Sequence, residues 1–81
     1  MNVLYFAWLR ERIGQSSEEI DTNAETVRDL VAELSAREDR YAAAFSDTSA
    51  VRVALDQKLS DFDAPLAGVR EIAFFPPMTG G

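Results

Sequence analysis

Residues 26–34 have the sequence TVRDLVAEL, and this stretch decides how the rest of the chain is interpreted. Its apolar residues recur at the i, i+3, i+4, i+7 spacing of one helical stripe: Val27, Leu30, Val31 and Leu34. Thr26 can cap the start of this helix, and Asp29 brings a negative charge near the free amides of its first turn. The sequence therefore predicts one main amphipathic helix.

Two strands are predicted before this helix. Residues 3–9 (VLYFAWL) form a continuous apolar run, which is typical of an interior strand covered on both faces. Gly14 and Gln15 predict a turn. The acidic residues 17–20 (SEEI) then predict an edge strand, the second arm of a hairpin.

Further elements are predicted after the main helix. Asp39 is expected to cap a short second helix whose apolar residues lie on one side: Tyr41, Ala44 and Phe45. Residues 51–55 alternate apolar and polar or small side chains, which predicts a strand, and residues 56–57 turn it into a short strand at Lys58 and Leu59. Residues 71–75 predict a last strand, which ends where two prolines remove amide donors.

The order strand, strand, helix, strand, short strand, strand indicates an α+β domain in which a mixed sheet packs on one main helix. The first and last strands are the most apolar, so we expect them to lie side by side in the middle of the sheet. This arrangement is the ubiquitin-like β-grasp. Residues 1–75 are predicted to form this domain, and residues 76–81 an extended tail ending in Gly-Gly.

Composition excludes several classes of function. The 81 residues suffice for one hydrophobic core, and the chain contains neither cysteine nor histidine. Disulfides, Cys/His metal sites and imidazole-based catalysis are therefore excluded. The net charge of −6 argues against binding to nucleic acid or anionic lipid, and favours a basic protein surface as partner. The first apolar run is too short for a membrane span, which predicts a cytoplasmic protein.

Acidic pairs are interpreted as structural. Asp61 and Asp63 resemble the start of a calcium loop, but Pro65 and Leu66 occupy positions that such a loop needs for a ligand and a glycine. We expect turn and capping roles, and no metal site. Glu18 and Glu19 are adjacent on a strand and point to opposite faces, which predicts a solvated edge rather than an acid–base pair.

The last eight residues, FFPPMTGG, are the most unusual part of the chain. Phe75 and Pro76 each precede a proline, which favours extended backbone. Residues 76–81 can reach roughly 20 Å at about 3.3 Å per residue.

Gly80 and Gly81 have no side chains, so they can pass through a narrow channel and leave a terminal carboxyl unhindered. An ionised carboxylate is a poor electrophile, so it would need activation, for example as an acyl-adenylate. The alternative is an ordinary frayed terminus.

These residues resemble a known family. Residues 71–81 are similar to the C-terminal signature of the MoaD family, the ubiquitin-like sulfur carriers that form the small subunit of molybdopterin synthase. Residues 3–8 with Arg10 and Glu11 match the opening strand of that family, and residues 60–65 match its later connector. The chain departs from the family at residues 68–70, Gly-Val-Arg, where many relatives have an acidic turn.

The resemblance implies a sulfur-transfer cycle. An E1-like enzyme would adenylate Gly81 with ATP, and a sulfur-donating protein would supply the sulfur of a thiocarboxylate. The carrier would then insert its tail into the large subunit, in a heterotetramer of two large and two small subunits, and give sulfur to a cyclic pterin precursor of the molybdenum cofactor. ATP is consumed by the activating enzyme, and no cofactor is bound permanently. Catalysis is expected in the large subunit, so this chain would be a non-catalytic donor.

The predicted site is the tail. Gly81 is the reactive residue, and three residues thread the partner's channel: Met78, Thr79 and Gly80. Three more are expected at the partner interface: Phe75, Pro76 and Pro77. Because side chains alternate, Phe74 should face the helix, and Phe75 should be partly exposed on the other face.

Other functions remain open from the sequence. A sulfur carrier for thiamine thiazole synthesis or tRNA thiolation would share the Gly-Gly end, although the Phe-Phe-Pro-Pro run favours the molybdopterin branch. An acidic protein-interaction module would explain the charge and leave the tail unused. An acyl carrier needs a serine after an aspartate at a helix start, whereas this chain has Ser46-Asp47 and Ser60-Asp61 in a strand-rich pattern.

Overall fold

A computed structural model describes residues 1–77 of the chain. Its elements, in chain order, are β1 (Asn2–Tyr5), α1 (Ala7–Ile13), β2 (Ser17–Glu19), α2 (Val27–Arg37), α3 (Asp39–Ala44), β3 (Arg52–Leu55), β4 (Lys58–Ser60) and β5 (Glu71–Phe75). A 3-10 turn at Thr48–Ala50 precedes β3. Within residues 1–77, none of the helices combines the length and apolar character needed to cross a membrane.

The strands form one mixed sheet in the order β2-β1-β5-β3-β4. β1 and β5 are parallel neighbours, and the other pairs are antiparallel. The first and last strands therefore lie side by side in the middle, as predicted. With α2 contributing a full buried stripe to the core, this is the α+β, ubiquitin-like β-grasp architecture, and that prediction is confirmed. β5 ends at Phe75, but the division into a domain of residues 1–75 and a tail of residues 76–81 stays a prediction.

α2 forms where the apolar spacing predicts a helix. The amide N–H of Asp29 donates to Oγ1 of Thr26 at 3.2 Å, so Thr26 is the predicted N-cap. The predicted stripe is buried: Val27, Leu30, Val31 and Leu34. Burial of this stripe against the sheet, rather than intrinsic propensity, is what stabilises a helix of this length.

The first apolar run is not a single strand, and here the prediction is wrong. β1 ends at Tyr5, and α1 occupies the second half of the run. Leu9 and Ile13 are buried at i, i+4 spacing, so the helical stripe continues past the charged residues 10–12. Ala7 adopts a positive φ of 54°, which turns the chain from strand into helix. Gly14, with φ of 90°, ends α1 as its C-cap.

Two smaller predictions also change. β2 is the antiparallel edge strand expected next to β1, but α1 connects the two strands in place of a tight hairpin turn. The second helix begins at Asp39, and its N-cap position is taken by Glu38, which makes no side-chain capping bond. The predicted apolar side of that helix is buried: Tyr41, Ala44 and Phe45.

The β3–β4 hairpin turns at Asp56 and Gln57, as predicted. Both residues have positive φ, 49° and 70°, the pattern of a type I′ hairpin turn. The Oδ1 atom of Asp56 accepts hydrogen bonds at 3.0 Å from the amides of Arg70 and Glu71. These two bonds connect the hairpin to the start of β5. Arg70 belongs to residues 68–70, the segment in which the chain departs from the MoaD family.

Glu18 is not the solvated residue that the strand pattern predicts. It pairs with Val3 across the β1–β2 ladder and therefore faces the core side of the sheet. Its Oε2 atom accepts from the hydroxyls of Tyr5 (2.8 Å) and Tyr41 (2.5 Å). Burial and the hydrogen bond to Glu18 raise the pKa of Tyr41 to about 12 and carry the pKa of Tyr5 far above its usual value.

The other acidic pair is divided, because only Asp61 has the turn role that was predicted for both residues. Asp61 accepts a hydrogen bond from the amide of Asp63 at 2.9 Å, which makes it a turn residue. Asp63 forms an exposed ion pair with Arg28 at 3.0 Å. Among residues 1–77, no group of three or more His, Cys, Asp or Glu side chains is arranged to hold a metal ion.

Candidate functional site at the base of the C-terminal tail

β5 divides the two phenylalanines that precede the tail. Phe74 is fully buried, with its ring 4.9 Å from that of Phe45 in an edge-on contact and stacked on Tyr5 at 6.2 Å. Phe75 lies on the opposite face and is half-buried. The alternation predicted from the sequence is confirmed for burial, whereas a role of Phe75 in binding stays a prediction.

Backbone contacts define the position at which the tail leaves the domain. The amide of Phe6 donates to the carbonyl oxygen of Phe74 at 3.1 Å, and Arg52 is the ladder partner of Phe75. Pro76 and Pro77 follow outside β5 and are half-buried. A proline has no amide N–H, so the ladder ends there. The tail therefore leaves from the central strand, between the start of α1 and the start of β3.

An apolar surface lies beside this point, on the face of the sheet opposite the core. One cross-strand row runs through four neighbouring strands: Leu4, Ala73, Ala54 and Leu59. Phe6 is extended and follows the buried Tyr5, so its side chain lies on the same outer face. Together with Phe75 these side chains form what we call the outer patch: Leu4, Phe6, Ala54, Leu59, Ala73 and Phe75.

Two members of the outer patch are unusually exposed for large apolar side chains, whereas Ala73 is buried. Leu59 is 75% exposed and Phe6 46%, and these are the large apolar side chains that the described part of the chain leaves open to solvent. A contiguous apolar surface of this kind marks a site of protein–protein contact more often than a single exposed leucine does. The tail base therefore lies at the border of a surface suited to docking another protein.

Sequence reasoning placed Phe75 and Ala73 on this face but missed the other members of the outer patch. The signal for Ala54 was present in the alternation of residues 51–55. Phe6 was missed because residues 3–9 were interpreted as one strand covered on both faces. That interpretation predicts no exposed side chain in the run. Leu59 carried no signal, because a single leucine in a short strand does not indicate a face.

The remaining predicted site residues fall beyond the tail base. Met78, Thr79, Gly80 and Gly81 lie outside the described residues, so their predicted roles in threading and sulfur transfer stay predictions. Small clefts also occur within residues 1–77. One of about 330 Å³ is lined by Trp8 and Arg12, and one of about 170 Å³ is lined by Arg52 and Asp61, among others.

The fold and the site define the class of the protein. A mixed sheet with a central parallel pair, one main helix and a tail leaving the central strand is a ubiquitin-like β-grasp domain, here with an exposed apolar surface beside its C-terminal segment. The model of the ThiS family matches residues 3–81, and the chain belongs to that family.

Comparison with individual proteins agrees with this assignment. The molybdopterin synthase sulfur carrier subunit of Escherichia coli (strain K12) is 41% identical over 81 residues, which is 100% of this chain and 99% of that protein. The subunit of the same name from Haemophilus influenzae is 35% identical over the same shares of both chains. The crystal structure of SAMP1 from Haloferax volcanii covers 100% of this chain and 98% of its own, with a TM-score of 0.76 and 23% identity, and it shows the fold. The predicted family resemblance is confirmed.

Proposed function

We propose that this chain is the sulfur carrier subunit of a molybdopterin synthase. The observation that carries the proposal is full-length identity of 41% to a protein of that name. Two features of the described domain support it. The central strand β5 leads directly into the tail, and an exposed apolar surface lies beside the point where the tail begins.

The chemistry of the proposal begins at the carboxylate of Gly81. An E1-like enzyme transfers AMP from ATP to this carboxylate and releases pyrophosphate, which converts a poor electrophile into an acyl-adenylate. A sulfur-donating protein then supplies the sulfur that replaces AMP, and the product is a thiocarboxylate. ATP is consumed by the activating enzyme, so the carrier needs no bound cofactor of its own.

The described residues fix the place at which the tail leaves the domain. β5 lies between β1 and β3, so the backbone of the tail base is hydrogen-bonded on both sides up to the prolines. Pro76 and Pro77 favour an extended course. Six residues, 76–81, span at most roughly 20 Å when fully extended, which is long enough to reach a pocket inside another protein. Gly80, Thr79 and Met78 thread that channel.

The partner in this proposal is the large subunit of the synthase, which receives the tail and transfers sulfur to the cyclic pterin precursor. We propose that the large subunit covers the outer patch, with Phe75, Pro76 and Pro77 at the entry to its channel, in a heterotetramer of two large and two small subunits. The E1-like enzyme needs the same tail and is a second partner. The complex works in the cytoplasm, with no part for nucleic acid or membrane.

A second candidate stays within the same class. A carrier that delivers sulfur to thiamine thiazole synthesis or to tRNA thiolation would use the same Gly-Gly end, and membership of the ThiS family is compatible with it. The two full-length relatives favour the molybdopterin branch. A plain acidic interaction module is disfavoured, because it assigns no use to the tail.

Intact-mass measurement of the protein from its native cells tests the proposal. We expect a mass increase equal to replacement of one oxygen by one sulfur, and loss of that species when Gly81 is deleted. The thiocarboxylated protein, mixed with purified large subunit and cyclic pterin precursor, should yield molybdopterin. A thiocarboxylated carrier that is inactive with this large subunit would favour the second candidate, and an unmodified terminus in all growth conditions would refute the carrier class.

A further inference from the structure

We propose that Arg52 is a specificity residue for the large subunit, which presents a carboxylate side chain to it at the entrance of the channel that receives the tail. The inference rests on the proposed function, because it concerns the protein that encloses the tail. It assigns a role to a residue on β3 that neither the tail motif nor the apolar surface includes.

The position of Arg52 follows from the β3–β5 register. Arg52 is the ladder partner of Phe75, the last residue of β5, and paired residues on neighbouring strands share a face of the sheet. Arg52 is exposed on the outer face, directly beside the first residue of the predicted interface. A protein that covers Phe75 and accepts Pro76 must therefore also cover Arg52.

The guanidinium of Arg52 is already oriented. Its Nη1 atom donates to the carbonyl oxygens of Ser49 at 3.0 Å and Val51 at 3.2 Å. Within residues 1–77, its Nε and Nη2 atoms make no hydrogen bond to the protein. Arginine donors form a planar fork that matches a carboxylate, and a side chain that is held in place beforehand loses less entropy when it binds.

Arg52 makes no ion pair within the described region. Four ion pairs occur between residues 1 and 77, and Arg52 takes part in none of them, as is also true of four other basic residues: Arg10, Arg12, Lys58 and Arg70. Asp61 lines the same small cleft, but its Oδ1 atom accepts from the amide of Asp63, and it forms no ion pair with Arg52. Within residues 1–77, a cation without an ion-pair partner thus lies beside the outer patch, although the net charge of the chain is −6.

Desolvation decides which partner chemistry suits this position. Covering Phe75 removes water from the neighbouring guanidinium, and a cation buried without a partner opposes binding. A carboxylate on the large subunit removes that penalty and adds a charge-assisted hydrogen bond. The entrance of the channel is therefore locally acidic, even where the wider surface of the large subunit is basic.

The absence of cysteine from the chain makes a clean test possible. Arg52→Cys introduces a single thiol into the chain. This thiol is converted to a mixed disulfide that carries either a positive trimethylammonium-ethyl group or a negative sulfonatoethyl group. The two adducts are similar in size and opposite in charge. Arg70→Cys, treated in the same way, is the matched control, because Arg70 is exposed and lies at the other end of β5 from Phe75. Binding to purified large subunit is measured by calorimetry, and thermal melts check that each adduct is folded.

We expect the positive adduct at position 52 to bind about tenfold more tightly than the negative adduct, with a smaller difference at position 70. Arg52→Lys and Arg52→Gln repeat the comparison without a reagent, and the lysine variant should bind more tightly. Equal binding of the two adducts at position 52, or tighter binding of the negative one, overturns the proposal while leaving the sulfur carrier function intact. Failure of the unmodified protein to bind the large subunit overturns both.

Discussion

The amide of Phe6 donates a hydrogen bond of 3.1 Å to the carbonyl oxygen of Phe74. The bond lies one residue beyond the end of β1 and one residue before the end of β5, so the base of the tail is held by the central strands and not by a loop. The domain therefore completes its hydrogen-bonded sheet before the tail begins. The hydrogen bonds that hold the sheet together thus precede the residues that we propose to carry sulfur.

Deletion of Gly81, or addition of one residue after it, should leave thermal unfolding unchanged, because the sheet ends at Phe75. The same changes should abolish thiocarboxylate formation, since the activated carboxyl would be displaced from the activating enzyme's site. Melting curves and intact masses measure the two effects. Persistence of the added residue has to be shown by mass. Sulfur transfer by the extended protein would show that Gly81 is not the reactive residue.

Replacement of the two phenylalanines by alanine should have different consequences. Phe74→Ala leaves a cavity beside Phe45 and Tyr5 and should cost about 3 to 5 kcal/mol of unfolding free energy. Phe75→Ala should change stability much less and weaken binding to the large subunit, because aromatic anchors often carry much of the binding energy. Denaturant unfolding and calorimetric titration of each variant make the comparison. A loss of stability in Phe75→Ala as large as that in Phe74→Ala would contradict the division.

Salt should slow association with the large subunit. The net charge of −6 favours a partner whose surface is basic overall, and electrostatic steering acts mainly on the association rate. Stopped-flow measurements at increasing NaCl concentration should give a falling association rate with a smaller change in dissociation. An association rate that does not depend on salt would mean that the acidic charge serves only solubility.

Alkali should destabilise the fold through the two tyrosines on Glu18. Tyr41 has a pKa of about 12 in the folded protein, against 10.0 for the unperturbed side chain. Between these values the unfolded chain has lost the proton and the folded protein still holds it, so the free energy of unfolding falls as pH rises. The contribution is complete below pH 10 and is lost toward pH 12.

Tyr41→Phe is the control for this pH dependence. It removes the titrating hydroxyl, so the fall in stability across the alkaline range should be shallower than in the unmodified protein. Glu18→Ala should cost about 2 kcal/mol at neutral pH, because it leaves two tyrosine hydroxyls without their acceptor. Urea unfolding at a series of pH values measures both. An unchanged alkaline slope in Tyr41→Phe would show that other groups dominate.

Elements with a local cause could be predicted without a structure. The spacing of Leu30 and Leu34 indicates a helix whatever packs against it, and two consecutive prolines end β5 because each lacks an amide donor. The central pairing of the first and last strands also followed from the sequence, because these two strands are the most apolar. The family resemblance rested on the tail motif, which can be recognised without a structure.

Tertiary contacts decided the rest. Residues 3–9 are apolar throughout, and only the burial of Leu9 with Ile13 makes their second half a helix, because a short apolar run fits either structure. Glu18 turned inward because two tyrosine hydroxyls, one from β1 and one from α3, meet at its carboxylate. The outer patch and the place of Arg52 beside Phe75 depend on registers between strands distant in sequence, and no local pattern specifies those registers.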